Sequence, residues 1–545
     1  MTQTHYFNNA PLQVLDVDAE PWDEVTDLAV VGFGMAGASA ALEAAEQGAK
    51  VLLIDRLAGG GASALSGGIV YAGGGTKWQR EAGDDDSADN MFAYLKEEIQ
   101  GAVSDETLRR FCEDSVPNIE WLERHGVNFN ATPYDEKTSY PPDGFYLYYS
   151  GNELSSPFKE KAKPVRRGHR THGEGLTGRI LWGEMHDSIA ASNNVDVSVH
   201  TEVQRLIVDA NNRVVGLELL AAPSNPLVRG IMNRLNKLAN GFCMLEPKMG
   251  KLFRAGVHKL RNQGAIRRIR AEKGVVLSTG GFINNLDMLK DYAPTYKDVR
   301  PLGEDCHGGG IMLGNSVGGA LGYMDKVSAW RFFTPPSCLL KGLVVTADGR
   351  RVCSEDLYGA ATSQYLVDAN EGKGWLIVDE AIMTEAKRLG RPGGAIPWTQ
   401  WMPIRLFIHT STQTAKSLAE LANLCNLDAE GLKAVAEKFN AGAESGNDEF
   451  NKSEKYLRAL GSGPYYAVDI SLDNPKVPCM SMTLGGLKVD EASGAVMNAG
   501  GQSIEGLYAA GRAAVGVCSK SYVSGLSLAD CVFSGRRAAV SALEK

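Results

Sequence analysis

Several protein classes are excluded by what this sequence lacks. Its nine cysteines stand singly, with no C-x-x-C and no C-x-x-C-H among them. A zinc ribbon, a dithiol motif and attached c-type haem are therefore not expected, and the pattern fits reduced thiols in a cytoplasmic protein. No uninterrupted apolar run approaches the roughly 20 residues of a membrane span, and the stretch up to Glu24 is too polar and acidic for a signal peptide. Positive charge is also in deficit: 56 lysines and arginines against 65 carboxylates give a formal net charge of -9. Nucleic acid needs a basic face, so none is expected as a partner. With 545 residues, 44% of them hydrophobic, the chain is too long for one core, and a soluble protein of two domains is expected.

Glycine, by contrast, is abundant, and it is placed where it has work to do. A short apolar strand, Leu28 to Val31, runs into Gly32-Phe33-Gly34-Met35-Ala36-Gly37 and an alanine-rich helix. A second strand, Val51 to Ile54, ends on Asp55. In such a unit Gly32 makes the tight turn, Gly34 lets backbone approach a pyrophosphate, and Gly37 lets helix pack on strand. The helix N-terminus then faces the anion, and Asp55 is placed to accept hydrogen bonds from a ribose. A lone G-x-G-x-x-G is weak evidence; the strand before it, the helix after it and the acid beyond together make a Rossmann-type dinucleotide site.

Three further segments favour FAD over NAD. Gly59 to Gly75 is a glycine and serine loop whose amides can cradle phosphate and flavin. Lys273 to Gly281 reads as a buried strand ending in a close backbone approach, after a strand pair near 203–207 and 214–219. Gly506 to Arg512 brings the end of the chain back to the same domain.

With these segments in this order, the chain resembles the fumarate reductase and 3-ketosteroid dehydrogenase superfamily of flavoproteins. The resemblance extends over nearly the whole chain and implies an α/β fold. In it a discontinuous FAD domain (residues 1–283 and 478–545) is interrupted by an α+β substrate domain (284–477). The return is marked by Met482-Thr483-Leu484-Gly485-Gly486-Leu487. Three segments, Gly67 to Thr76, Ser354 to Tyr358 and Ser521 to Asp530, carry a closer likeness to the 3-ketosteroid Δ4-(5α)-dehydrogenases. On this layout FAD is expected to be held without a covalent bond, because the Gly61 to Ala64 loop has no histidine. Its expected contacts are Gly32, Gly34, Ala36, Gly37, Asp55, Arg56, Ser63, Ser66, Gly67, Gly68, Val203, Gly280, Gly485, Gly511, Arg512, Ser527 and Leu528.

The resemblance also implies a chemistry. Desaturating a ketone next to its carbonyl removes an acidic alpha proton and a beta hydride. Tyr522 is expected to donate to the 3-keto oxygen and stabilise the enolate. Ser524 is expected to take the C4 proton and Tyr358 to relay it, while the C5 hydride goes to flavin N5. The substrate is then a steroid-like apolar molecule, with an electron acceptor the sequence does not name and no metal. Fumarate reductases carry an arginine near the position of Tyr358 and a histidine at that of Ser481, and a dicarboxylate wants arginine forks. Δ1 desaturation, reduction of an activated alkene, and a non-catalytic flavin sensor are the alternatives. The residues alone allow blander roles: Ser524 as a helix N-cap, Tyr358 as an ordinary buried phenol with Tyr365 a rival for its space, His307 as part of a glycine turn, and His169 and His172 as solvated loop residues.

One stretch departs from the acidity of the rest. Residues 222–266 hold Arg229, Arg234, Lys237, Lys248, Lys251, Arg254, Lys259 and Arg261 against Glu246 alone. Leu227, Ile231, Met232, Leu235 and Leu238 recur at three-to-four spacing. This predicts an amphipathic helix with a basic face, suited to peripheral membrane contact or to a surface hairpin or subunit contact.

Overall fold

The computed structural model describes residues 10–242, 247–302, 306–331, 333–391, 398–477 and 479–544. Its centre is a nine-stranded sheet that takes strands from both ends of the chain. Strand Glu24–Val31 lies between two parallel neighbours, Val51–Ile54 and Ala265–Leu277. Ser503–Ala509, from near the C-terminus, lies parallel on the far side of Ala265–Leu277, with Val275 opposite Leu507. Leu28, Val30, Leu53, Val275 and Leu507 are fully buried, as expected of parallel strands covered on both faces.

Helices Met35–Glu46 and Leu526–Leu543 pack together on this sheet. Small residues make the fit: a Cβ on Gly535 would lie 2.4 Å from the carbonyl oxygen of Ala36. The first and last parts of the chain thus share one core. A second core draws on residues between Phe333 and Val477. It is built on a four-stranded antiparallel sheet in the order Leu343–Val345, Trp375–Asp379, Tyr465–Asp469, Thr412–Ala415. The chain returns through strand Met480–Thr483, antiparallel to Val327–Trp330. The α/β fold class expected from the sequence is the one found.

Two local expectations are modified. The glycine and serine loop carries a short helix, Gly61–Leu65, and a strand, Ile69–Tyr71, because that apolar triplet pairs with Gly168–Arg170. The basic stretch is a pair of helices, Pro226–Phe242 and Pro247–Arg261, interposed between antiparallel strands that still meet at Ala221 and Ala265. Its apolar positions do not form one stripe: Met232 is buried, whereas Leu227, Ile231 and Leu238 are exposed. Glu246 lies outside the described residues.

Candidate active site

A cavity of about 840 Å³ runs from the edge of the large sheet to the second core, near the upper end of the range for small-molecule sites. Its two ends differ in construction. At one end the backbone dominates. Gly32 sits at φ +111°, where a Cβ would fall 2.6 Å from the carbonyl oxygen of Ser278, so only glycine makes this turn. The helix beginning at Met35 starts from Gly34, whose Cβ position meets nothing closer than Ser63 Oγ at 3.5 Å. Asp55, just beyond strand Val51–Ile54, is held by two amides: Phe33 N donates to Oδ2 at 2.8 Å and Leu57 N to Oδ1 at 2.7 Å. Each oxygen keeps a further lone pair for a ligand.

Of the cofactor contacts expected from sequence, Gly32, Gly34, Ala36, Asp55, Arg56, Ser63, Ser66, Gly67, Val203, Gly280, Arg512, Ser527 and Leu528 line the cavity. Gly37, Gly68, Gly485 and Gly511 stand behind it, where backbone meets backbone or packs on small side chains. A Cβ would lie 1.7 Å from Gly32 O at Gly37, 2.5 Å from Thr177 C at Gly68 and 2.1 Å from Tyr323 O at Gly485, and Gly511 has φ +57°.

The donor set fits a flavin dinucleotide. Arg512 is buried and lines the cavity, with Nη2 3.8 Å from Cys306 Sγ and, among the described residues, no hydrogen-bond partner for Nη1. A buried guanidinium that lines a cavity and is paired with no carboxylate among the described residues calls for an acceptor there, and the carbonyl-bearing ring of FAD supplies one.

At the other end, side-chain hydroxyls dominate. Tyr522, Ser524 and Tyr358 all line the cavity. Ser524 receives the phenol of Tyr148 at 3.1 Å and lies close enough to Tyr358 to influence its phenol. Tyr522 stacks on Trp330, centroids 5.5 Å apart. Burial pushes all three phenols, Tyr148, Tyr358 and Tyr522, above their ordinary pKa, so they remain protonated donors at neutral pH.

These groups come from separate elements and are anchored separately. The backbone N–H of Ser524 donates to Ser150 O at 3.1 Å, and that of Tyr358 to Asn152 Oδ1 at 2.6 Å. The loop before Tyr358 is tied down by a buried charge cluster. Glu355 accepts from Arg351 Nη2 at 2.8 Å and Lys452 Nζ at 2.9 Å, and Arg351 also pairs with Asp448. The Ser354-Glu355-Asp356 segment therefore serves to position Tyr358.

Several alternatives of the sequence reading resolve here. Helix Leu526–Leu543 is preceded by Gly525 at φ +91° with no side-chain cap, so Ser524 is not its N-cap. Tyr365 is 47% exposed against 6% for Tyr358 and does not compete for that space. His169 is not a solvated loop residue. It lies on strand Gly168–Arg170, hydrogen-bonded to Thr76 Oγ1 at 2.8 Å and Arg167 O at 3.0 Å, and burial lowers its pKa to about 4. His172 is exposed as expected. His307 both precedes the glycine turn at Gly308 and lines the cavity. Among the described residues no group of histidine, cysteine and carboxylate is placed to hold a metal.

Tyr148 and Trp330 are the residues the sequence reading missed. Tyr148 lies on the two-residue strand Leu147–Tyr148, within no motif. Its only sequence signal is the run Tyr146-Leu147-Tyr148-Tyr149.

A cavity of this kind, glycine turn and acid-tipped strand at one end and buried hydroxyls at the other, is that of a flavoprotein. The chain belongs to the FAD binding domain family, whose model matches residues 27–525, and FAD is its cofactor. It is 37% identical over 511 residues to the 3-oxo-5-alpha-steroid 4-dehydrogenase of Comamonas testosteroni, covering 92% of this chain and 95% of that one. The crystal structure of 3-ketosteroid-delta4-(5alpha)-dehydrogenase from Rhodococcus jostii RHA1, in complex with 4-androstene-3,17-dione, superposes with a TM-score of 0.81 at 30% identity. It covers 98% of this chain and 100% of that one. A probable fumarate reductase of Shewanella frigidimarina is 25% identical over 96% of this chain and 76% of its own length. The expected superfamily is therefore the one found.

Proposed function

We propose that this chain is an FAD-dependent 3-ketosteroid dehydrogenase that introduces a double bond between C4 and C5. The observation that carries this is the Tyr148–Ser524 hydrogen bond with the hydroxyls of Tyr358 and Tyr522 beside it, at the apolar end of a cavity whose other end suits FAD. Trp330, Ile404, Phe407, Met480 and Met482 line that end, a surface suited to fused rings. Arg331 also borders the cavity, but its Nη atoms donate to the carbonyls of Val477, Ser471 and Leu472. It offers no fork to a dicarboxylate.

Bound FAD supplies the hydride acceptor. Tyr522, kept protonated by burial, donates to the 3-keto oxygen and stabilises the enolate charge. Ser524 has two lone pairs and one proton. Tyr148 fills one lone pair, the proton points to Tyr358, and the remaining lone pair takes the C4 proton. Tyr358, which borders the cavity, passes a proton on to solvent. A serine and phenols of raised pKa are weak bases, so enolate stabilisation by Tyr522 has to carry the larger share. The same reading assigns residues 1–283 and 478–545 to the cofactor and 284–477 to the substrate. It leaves FAD non-covalent, since Gly61 to Ala64 has no histidine.

Anaerobic mixing of the yellow protein with 5α-androstane-3,17-dione tests the proposal. Bleaching of the flavin with formation of the 4-ene-3-one is expected. In Tyr522→Phe, kcat is expected to fall by about 10²–10³, with the flavin spectrum unchanged. A 1-ene product would move the chain to Δ1 chemistry, and no bleaching by any 3-ketosteroid would remove the steroid assignment.

A further inference from the structure

Where a tight turn could close the strands that meet at Ala221 and Ala265, two helices of 17 and 15 residues stand out from the sheet. Their inner side is firmly docked. Met232 and Val257 are fully buried, packed with Leu57, Leu235 and Leu260. Arg261 reaches Glu202 at 2.5 Å, Asn233 meets His200 at 2.7 Å, and Arg254 donates to Asn236. Asn236 and Arg254 also border the cavity beside Asp55 and Glu202, so this side of the hairpin belongs to the nucleotide end.

The outer side is of the opposite character. Leu227, Ile231, Leu238 and Phe242, at four- and seven-residue spacings, form one exposed stripe along the first helix, and Met249 and Leu252 are exposed on the second. Leu227 is 78% and Leu252 63% exposed. Six of the seventeen exposed large hydrophobic residues among those described lie on these two helices, so the clustering is local and not the scatter normal on a protein surface. Around them Arg229, Arg234, Lys237, Lys248, Lys251 and Lys259 are exposed. Neither helix contains an aspartate or glutamate, in a chain of net charge -9.

Exposed apolar side chains flanked by cations match one environment: the boundary of a bilayer, where acyl chains take the apolar groups and phosphates take the cations. A self-association of two-fold symmetry would set the cationic patch against itself. Nucleic acid would meet the cations and leave the apolar stripe unexplained. We propose that the outer side of this hairpin is a docking surface for an anionic lipid bilayer. It holds the protein on the surface of one leaflet: among the described residues no helix is long and apolar enough to cross. The proposal does not depend on the steroid reading.

Vesicle flotation of the FAD-loaded full chain tests it, with Leu227→Glu/Ile231→Glu/Leu252→Glu as the variant. All three side chains are exposed, so flavin content and far-ultraviolet circular dichroism should not change. The wild type is expected to float with vesicles of equal phosphatidylglycerol and phosphatidylcholine at low salt and to be released by high salt. It should not float with phosphatidylcholine alone, and the variant should bind at least about tenfold more weakly. Failure to float with the anionic vesicles at low salt overturns the proposal, as does equal flotation of wild type and variant. Absence of flotation together with a dimer that the variant dissociates, seen by analytical ultracentrifugation, would make this face a self-interface instead.

Discussion

The two ends of the cavity solve the same problem, placing polar groups inside a protein, by different means. At the nucleotide end the groups are backbone amides and a carboxylate, held within one stretch of chain from Gly32 to Asp55 and constrained by glycines whose side of the backbone is already occupied. At the substrate end the groups are hydroxyls at 148, 358, 522 and 524, which come together only through tertiary structure. The first arrangement is rigid locally and fails locally. The second depends on anchors well removed in sequence, such as Asn152 under Tyr358 and Lys452 under Glu355.

The largest effect that would test this contrast is expected from Gly37→Ala. The new Cβ would lie 1.7 Å from Gly32 O and 2.8 Å from Ser278 Oγ, a clash with backbone that no rotamer relieves. Folded yellow protein should not be recovered. Gly34→Ala meets nothing closer than 3.5 Å; it should fold but bind FAD weakly, because the added methyl enters the cavity. The flavin-to-protein absorbance ratio of the purified variants measures both. A yellow Gly37→Ala protein would show that the helix does not need its close approach to the strand.

Next in size is Glu355→Ala, which probes the anchoring of the distant hydroxyls. Burial pushes the Glu355 pKa up, but Lys452 and Arg351 outweigh it and hold the carboxyl below its ordinary value. Removing the carboxylate takes buried Lys452 away from its carboxylate partner and leaves buried Arg351 with Asp448 alone, and the expected loss is about 3–5 kcal/mol in urea denaturation at neutral pH. The sign of the pH dependence follows. A depressed carboxylate pKa gives stability that is complete above the ordinary carboxylate range and is lost as the pH falls through the folded value. Wild type and variant should therefore converge as the pH falls through the depressed folded pKa; a gap that does not shrink at all in acid would place the effect in packing instead of charge.

The same contrast explains what could be read from the sequence. The nucleotide end was legible because its chemistry is contiguous: strand, glycines, helix and acid occupy one short stretch. Tyr522 and Ser524 were legible through the Ser521 to Asp530 segment, where they stand two positions apart, and Tyr358 through the Ser354 to Tyr358 segment. Tyr148 was not, because a two-residue strand carries no period and a tyrosine in an aromatic run gives no sign of which neighbour its hydroxyl meets. His169 was misjudged for a related reason. Its neighbours Arg167 and Arg170 suggest an exposed loop, yet both are buried, Arg167 on Asp86 at 2.8 Å and Arg170 on Asp143 at 2.5 Å. The basic hairpin was recognised as amphipathic, but the apolar pattern could not reveal that it serves two sides.

The smallest effect is expected from Tyr148→Phe, and it tests whether the hydroxyls at the substrate end act as a chain. On the proposed mechanism Tyr148 is a positioning residue: it is fully buried and, among the described residues, its hydroxyl donates to Ser524, which lines the cavity. Removing its hydroxyl leaves Ser524 in place with a lone pair unfilled, so its proton is no longer directed at Tyr358. The expected result is a fall in kcat of about tenfold, well short of the loss in Tyr522→Phe, with KM unchanged and the solvent isotope effect on kcat altered. Because burial raises the pKa of all three phenols, neither wild type nor variant should lose turnover as the pH rises toward ~10, the ordinary phenol value. A fall in wild-type kcat below pH ~9 that disappears in Tyr148→Phe would mean that this phenol ionises and acts as a base. Unchanged kcat and isotope effect in Tyr148→Phe would mean that Ser524 is oriented by Tyr358 and the backbone alone, with Tyr148 only filling space behind it.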